Sequence, residues 1–291
     1  MRTATASTLR SHRARAQKSV RGFTMIEIAI SLAVIGFALV AIVGVLPMGM
    51  DVQKENREET IVNQDATMFM EAIRGGAQGL DELTNYVMAI TNFVTEYHSV
   101  GKPVVQVRGY TANDSTVTPK FPLITGQRII GLLSTPKYIP FSTGKDTGFV
   151  SNYVVGYFRC LSGDVSDKYP QTNQVMRDMA FSYRLVPEIV PYSAYDPSWV
   201  NFNDPAIRGN TNEILSRSNY WTYVRNLQTN LHEVRLLFRW PVLPNGKTGN
   251  GRQVYRTTAS GSFLQTNAFG FPRQPAYSLY FLQSKTYVKA P

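Results

Sequence analysis

Glu27 carries more chemical information than any other residue in this chain. It closes the stretch Arg21-Gly22-Phe23-Thr24-Met25-Ile26-Glu27, and from Ile28 to Leu46 no charged side chain follows. An ionisable group set against hydrocarbon is expensive and normally marks a function or a partner. Other chemistry-bearing residues are sparse. The three histidines are His12, His98 and His232. His232-Glu233 opens a strand-like run, where a solvated or core-edge role is expected rather than a catalytic pair. Phosphate loops of the Gly-x-x-x-x-Gly-Lys type and His-Glu-x-x-His metal motifs are absent. Gly261-Ser262 lacks strand-to-helix context and reads as loop. Asp164, Asp167 and Asp178 could offer oxygens to calcium, but their spacing is not that of an EF-hand, and solvated loop acids are expected. Cys160 is the single cysteine and sits in an apolar run, so it reads as a buried small hydrophobe and allows no internal disulfide. No catalytic residue, metal site or cofactor is expected, and the chain reads as a non-enzyme.

These residues need elements to position them. With 291 residues, 43% hydrophobic and 17% charged, the chain has the material for a folded head with a membrane segment. The net charge of +10 suggests nucleic acid until its location is considered. Six of the 30 basic residues (Arg2, Arg10, Arg13, Arg15, Lys18 and Arg21) and none of the 20 acidic ones lie before Phe23. That is a topogenic signal, placing the leader on the cytoplasmic side. A helix from Phe23 to Met50 would be about 42 Å long, enough to cross a bilayer core of about 30 Å. The apolar run is too long for an ordinary cleaved secretory signal, which has about 7–15 apolar residues. An uncleaved signal anchor stays open, but gives no reason for Gly22-Phe23 or Glu27.

The combination of basic leader, Gly22-Phe23-Thr24, Glu27 and the apolar helix resembles the type IV prepilin superfamily, which comprises pilins, minor pilins and the pseudopilins of type II secretion. The resemblance covers about the first 50–75 residues. It implies that a membrane prepilin peptidase cuts between Gly22 and Phe23 and methylates the new amino terminus of Phe23. It also implies that Glu27, fifth from the new terminus, pairs with the terminal amine of a neighbouring subunit during assembly. The implied partners are other pilin or pseudopilin subunits through the N-terminal helix, the peptidase, and the inner membrane. The head would lie outside the cytoplasm, periplasmic or on a surface filament.

The local sequence is compatible. Glycine leaves open backbone for a peptidase, and a carboxylate in low dielectric needs a cation. Ala29, Ala33, Gly36 and Ala41 allow close helix approach. Pro47, between Gly44 and Gly49, should kink or loosen the helix; the resemblance suggests bending or melting there on assembly.

The resulting plan has a leader at 1–22, a transmembrane half-helix at 23–50, an amphipathic half-helix at 51–76 and a head at 77–291. Val62, Ala66, Phe69 and Ile73 form the apolar stripe of the second half, and Gly75-Gly76 stops it. In the head, Leu83, Val87, Ile90, Val94 and Tyr97 predict a second helix over Leu80–His98. Strands are predicted at 104–107, 128–133, 153–161, 179–186 and 234–240, the last forming a hairpin with 252–258. Stretches 111–122, 134–148, 162–175 and 191–219 read as loops. The fold class is α+β: a long spine helix packed on a mostly antiparallel sheet with long loops.

Two functional readings remain beside a filament subunit. One is a DNA- or surface-binding subunit, carried by Tyr192, Tyr195, Trp199, Phe202, Tyr220, Trp221 and Tyr223 with Arg208, Arg217 and Arg225; these aromatics fit packing or subunit contact as well, and nucleic acid is not the expected partner. The other is an uncleaved signal-anchored envelope protein.

Overall fold

The computed structural model describes residues 22–76, 80–98, 104–111, 120–122, 125–143, 146–163, 181–192, 205, 209–266 and 278–289. The chain divides into two compact units, one ending at Glu55 and one beginning at Asn56. Helix α1 spans Met25–Gly75 and continues through Pro47. It ends at Gly76, whose φ of +72° is the left-handed conformation in which helices stop at glycine.

In the second unit the expected stripe is buried: Val62, Ala66, Phe69 and Ile73 are each fully covered. They pack on a mixed but mostly antiparallel eight-stranded sheet. Its strands are β1 (Val87–His98), β2 (Val104–Thr111), β3 (Lys120–Pro122), β4 (Tyr138–Thr143), β5 (Asp146–Arg159), β6 (Ser182–Pro191), β7 (Leu231–Val242) and β8 (Thr248–Ser260). The order is β3-β2-β1-β5-β6-β7-β8, with β4 also paired to β5. Among these strand pairs, β2–β3 is parallel and the others are antiparallel. Strand alternation turns Ile90, Val154, Phe158, Tyr183, Leu185, Leu236 and Phe238 toward α1. Phe69 meets Phe158 edge-on at 5.1 Å between ring centroids, and the aromatic contact continues from Tyr183 to Phe238 at 5.1 Å. The architecture is therefore α+β with a long apolar N-terminal helix.

Several sequence expectations are corrected, among them the 134–148 loop, which holds β4 and the start of β5. Leu80–His98 is not a helix. A 3-10 turn at Asp81–Asn85 buries Leu83, and β1 follows. The misleading three-residue step from Val87 to Ile90 comes from a bulge between Val87 and Ala89, which returns both side chains to the core side. Residues 128–133 are not a strand but helix α2 (Gly126–Leu133). Thr125 caps it, accepting from the Arg128 N–H at 3.3 Å. Gly131 lets Phe281 and Leu279 approach to where a Cβ would sit, 2.7 and 2.9 Å from their nearest atoms. A short run buried on nearly every side shows no period by which to tell helix from strand. Within the expected 191–219 loop, helix α3 (Thr211–Asn230) begins, capped by Asn210.

The β7–β8 hairpin forms as expected, with Val234 opposite Thr257 and Arg239 opposite Arg252; its loop is tighter, since Val242 already pairs with Thr248. A separate two-stranded sheet of β9 (Ser262–Thr266) and β10 (Leu279–Gln283) was not anticipated. Gly261 joins β8 to β9 at φ +123°, with the Gln283 carbonyl 2.0 Å from where a Cβ would lie, so Ser262 opens a strand instead of lying in a loop.

The buried stripe is testable. Phe69→Ala should lower the unfolding free energy of the detergent-solubilised chain by about 3–5 kcal/mol, measured by denaturant titration. A loss below about 1 kcal/mol would show that this face of α1 is not part of the core.

Candidate functional site: the head of the apolar helix

Thr24 and Glu27 stand three residues apart at the start of α1, and the structure joins them. The Thr24 backbone N–H and its Oγ1 hydroxyl each donate to Glu27 Oε2 at 2.8 Å. The Glu27 N–H approaches Thr24 Oγ1 at 3.3 Å. This is a capping box: an N-cap threonine and a glutamate three positions later satisfy donors that the first helical turn leaves orphaned. The helix dipole favours an anion at the same place. Both bonds to the carboxylate use Oε2, so Oε1 stays available to a second donor.

Around this cap the backbone is open. Phe23 is 84% exposed, and nothing approaches within 4 Å of where a Gly22 side chain would begin. Downstream, the apolar side chains of α1 are uncovered, including Ile35 at 54% and Phe37 at 79% exposure. Among the described residues α1 is the helix long and apolar enough to cross a membrane. Such a surface needs lipid or other protein as its solvent. Gly22, Phe23 and Glu27 thus lie together at the mouth of an apolar helix that none of the described residues covers.

Residues 17–43 match the family model for the prokaryotic N-terminal methylation motif. This is a type IV prepilin-like signature. It covers the same Gly22–Glu27 segment and the first half of the apolar helix, and it supports a pilin-like precursor with an N-terminal helix compatible with a membrane anchor. No curated protein and no solved structure matches the chain.

Outside the prepilin-like segment, the other sequence candidates among the described residues do not assemble. His232 and Glu233 are neighbours on β7 and point to opposite faces: His232 packs edge-on against Phe263 at 4.6 Å, while Glu233 pairs with Arg235. Cys160 is buried. Tyr220, Trp221 and Tyr223 lie on α3 and not on a loop. Arg217 is bonded to Glu213 at 3.3 Å, and Arg225 stacks over Trp221 at 4.8 Å. Asp164, Asp167, Asp178, Tyr195, Trp199, Phe202 and Arg208, like the leader, lie outside the described residues.

The sequence reading missed Asp65. This acid sits on the buried side of α1, between Val62 and Phe69, and is fully covered. It accepts from the Leu161 N–H at 2.9 Å, the Ser162 N–H at 2.8 Å and the Tyr183 hydroxyl at 2.9 Å. Burial pushes its carboxyl above the ordinary range, against the opposing pull of those donors. Burial and the Asp65 charge in turn hold the Tyr183 phenol well above its usual range. The signal was present, an acid three residues from Val62 inside an apolar stripe, but its partners come from the bend after β5 and from β6.

Two outcomes follow. Asp65→Ala should cost about 3 kcal/mol or more, by leaving two amides and a buried phenol without their acceptor; a denaturation midpoint equal to wild type would contradict this. His232, depressed by burial to about 4, binds protons more readily in the unfolded chain. Stability should therefore be complete above pH 6.5 and fall by up to about 3 kcal/mol as pH drops toward 4. His232→Phe should flatten that part of the pH–stability curve.

Proposed function

We propose that this chain is a pilin- or pseudopilin-like structural subunit of a type IV pilus or type II secretion-type filament, not an enzyme. The leader stays cytoplasmic, α1 is anchored in the inner membrane, and the head faces outward. The prepilin peptidase cuts between Gly22 and Phe23, and Phe23 is N-methylated. The observation that carries this reading is the uncovered apolar half of α1, headed by an exposed Gly22-Phe23 bond and a carboxylate. Lipid covers that surface before assembly and the helices of neighbouring subunits cover it afterwards, so hydrophobic burial supplies most of the cohesion.

Glu27 then has two duties. Through Oε2 it caps its own helix, and through Oε1 it can receive the amino terminus of an adjacent Phe23. The capping bond holds the carboxylate in one place at the helix end, so a docking amine meets an ordered acceptor.

Mass spectrometry of the membrane-bound protein should find an N-terminal peptide beginning at monomethylated Phe23; an intact leader would refute the processing. The two duties of Glu27 separate by substitution. Glu27→Gln keeps an acceptor for Thr24 and removes the charge, whereas Glu27→Ala removes both. Both variants should insert in the membrane, and both should lose filament incorporation by about tenfold or more in a sheared-filament assay, since one charge-assisted contact is worth about that. Wild-type incorporation of Glu27→Gln would mean that the carboxylate serves only as a cap.

A further inference from the structure

The sheet has a second face, turned away from α1, and its charge is unbalanced. Arg184 on β6 lies directly opposite Arg239 on β7, which lies directly opposite Arg252 on β8. Facing residues in such a ladder have Cβ atoms about 4.5–5.5 Å apart, and like charges there are destabilising. Four residues along, Arg235 faces Arg256. The acids of this face are already engaged: Glu188 with Lys137 at 2.8 Å, and Glu233 with Arg235. Among the described residues, the row Arg184–Arg239–Arg252 has only Tyr157 and its own members as cross-strand neighbours. A fold that keeps three arginines side by side carries a cost that a polyanion would remove.

The other half of this face is aromatic. Tyr97 stacks on Phe149 with centroids 4.7 Å apart, and Phe93 lies 6.0 Å from Tyr153. All four rings are about 40% exposed, from 38% for Tyr97 to 42% for Tyr153. The two halves are joined, since Arg184 Nη2 donates to the Tyr153 hydroxyl at 2.9 Å. Large rings left this open on a sheet are available to stack on planar groups.

We propose that this face binds single-stranded nucleic acid, with phosphates along the arginine row and bases stacked on the aromatic half. Regularly spaced charge and flat repeating groups on one ligand are what these two halves complement together. A duplex hides its bases, and a simple polyanion has none. This goes beyond filament membership and stands on the head alone. It also reverses the sequence expectation, because the modest positive excess after the leader concentrates on one face only through strand register.

The test is fluorescence anisotropy of the full chain in neutral detergent with labelled oligothymidine of about 15 nucleotides. The leader's cations are present in every variant, so the differences carry the result. R184Q/R239Q/R252Q should weaken binding about tenfold or more and reduce the slope of log affinity against log salt by about 2, near 0.7 per lost contact. Its melting temperature should hold or rise, since repulsion is relieved; a purely structural row would lower it. Y97A/F149A should weaken binding about fivefold or more with the salt slope unchanged. Four results overturn the proposal: no salt-sensitive binding at low ionic strength; equal binding by the triple glutamine variant; heparin or anionic vesicles competing equally while Y97A/F149A has no effect; or duplex bound as tightly as single strand.

Discussion

The structure depends on one contact, the burial of the Val62–Ala66–Phe69–Ile73 face of α1 against the inward side chains of β1, β5, β6 and β7. Four side chains spaced along a single helical stripe meet a sheet whose inward positions alternate apart from the bulge at Val87–Ala89, and the two periodicities interlock through the Phe69–Phe158 contact. Asp65 makes this contact directional. Its carboxylate accepts from residues at the end of β5 and from Tyr183 on β6, so the helix can dock in only one register without stranding a charge. Tyr255 adds a bond from β8 to Asn63 on the same helix.

The other half of α1 is covered by none of the described residues. A helix that changes from uniformly apolar to amphipathic within a few residues of Met50 must satisfy two environments. The apolar half does so only with lipid or with other helices, and its lone acid is placed where a helix N-terminus already favours negative charge. The capping box gives that carboxylate partners beside the apolar surface: Thr24 supplies two hydrogen bonds to it.

The sheet's two faces divide labour in the same way. The inward face is filled by aromatic and branched side chains that hold the helix. The outward face keeps Arg184, Arg239 and Arg252 in a facing row beside exposed rings. Strand register creates that arrangement. A one-residue slip of β7 would turn Arg239 into the core and Phe238 out, so the same pairing that builds the core also builds the charged row.

The sequence by itself determined the Gly22–Glu27 motif, the apolar helix, the buried stripe from Val62 to Ile73 and the β7–β8 hairpin. Each of these is written in local spacing: a charge-free run, a 3.6-residue period, or two strand-like runs around an Asn-Gly turn. Only the tertiary structure decided β1, α2, α3, Asp65 and the arginine row. The Val87–Ile90 step imitated a helix because a bulge skipped one residue, and α2 was mistaken for a strand because burial on nearly every side erases periodicity. Asp65 takes its acceptor role from residues about a hundred positions away, and Arg184 meets Arg239 and Arg252 only through pairing across three strands. Contacts of that range leave no local signal, because they exist only once the chain has chosen its register.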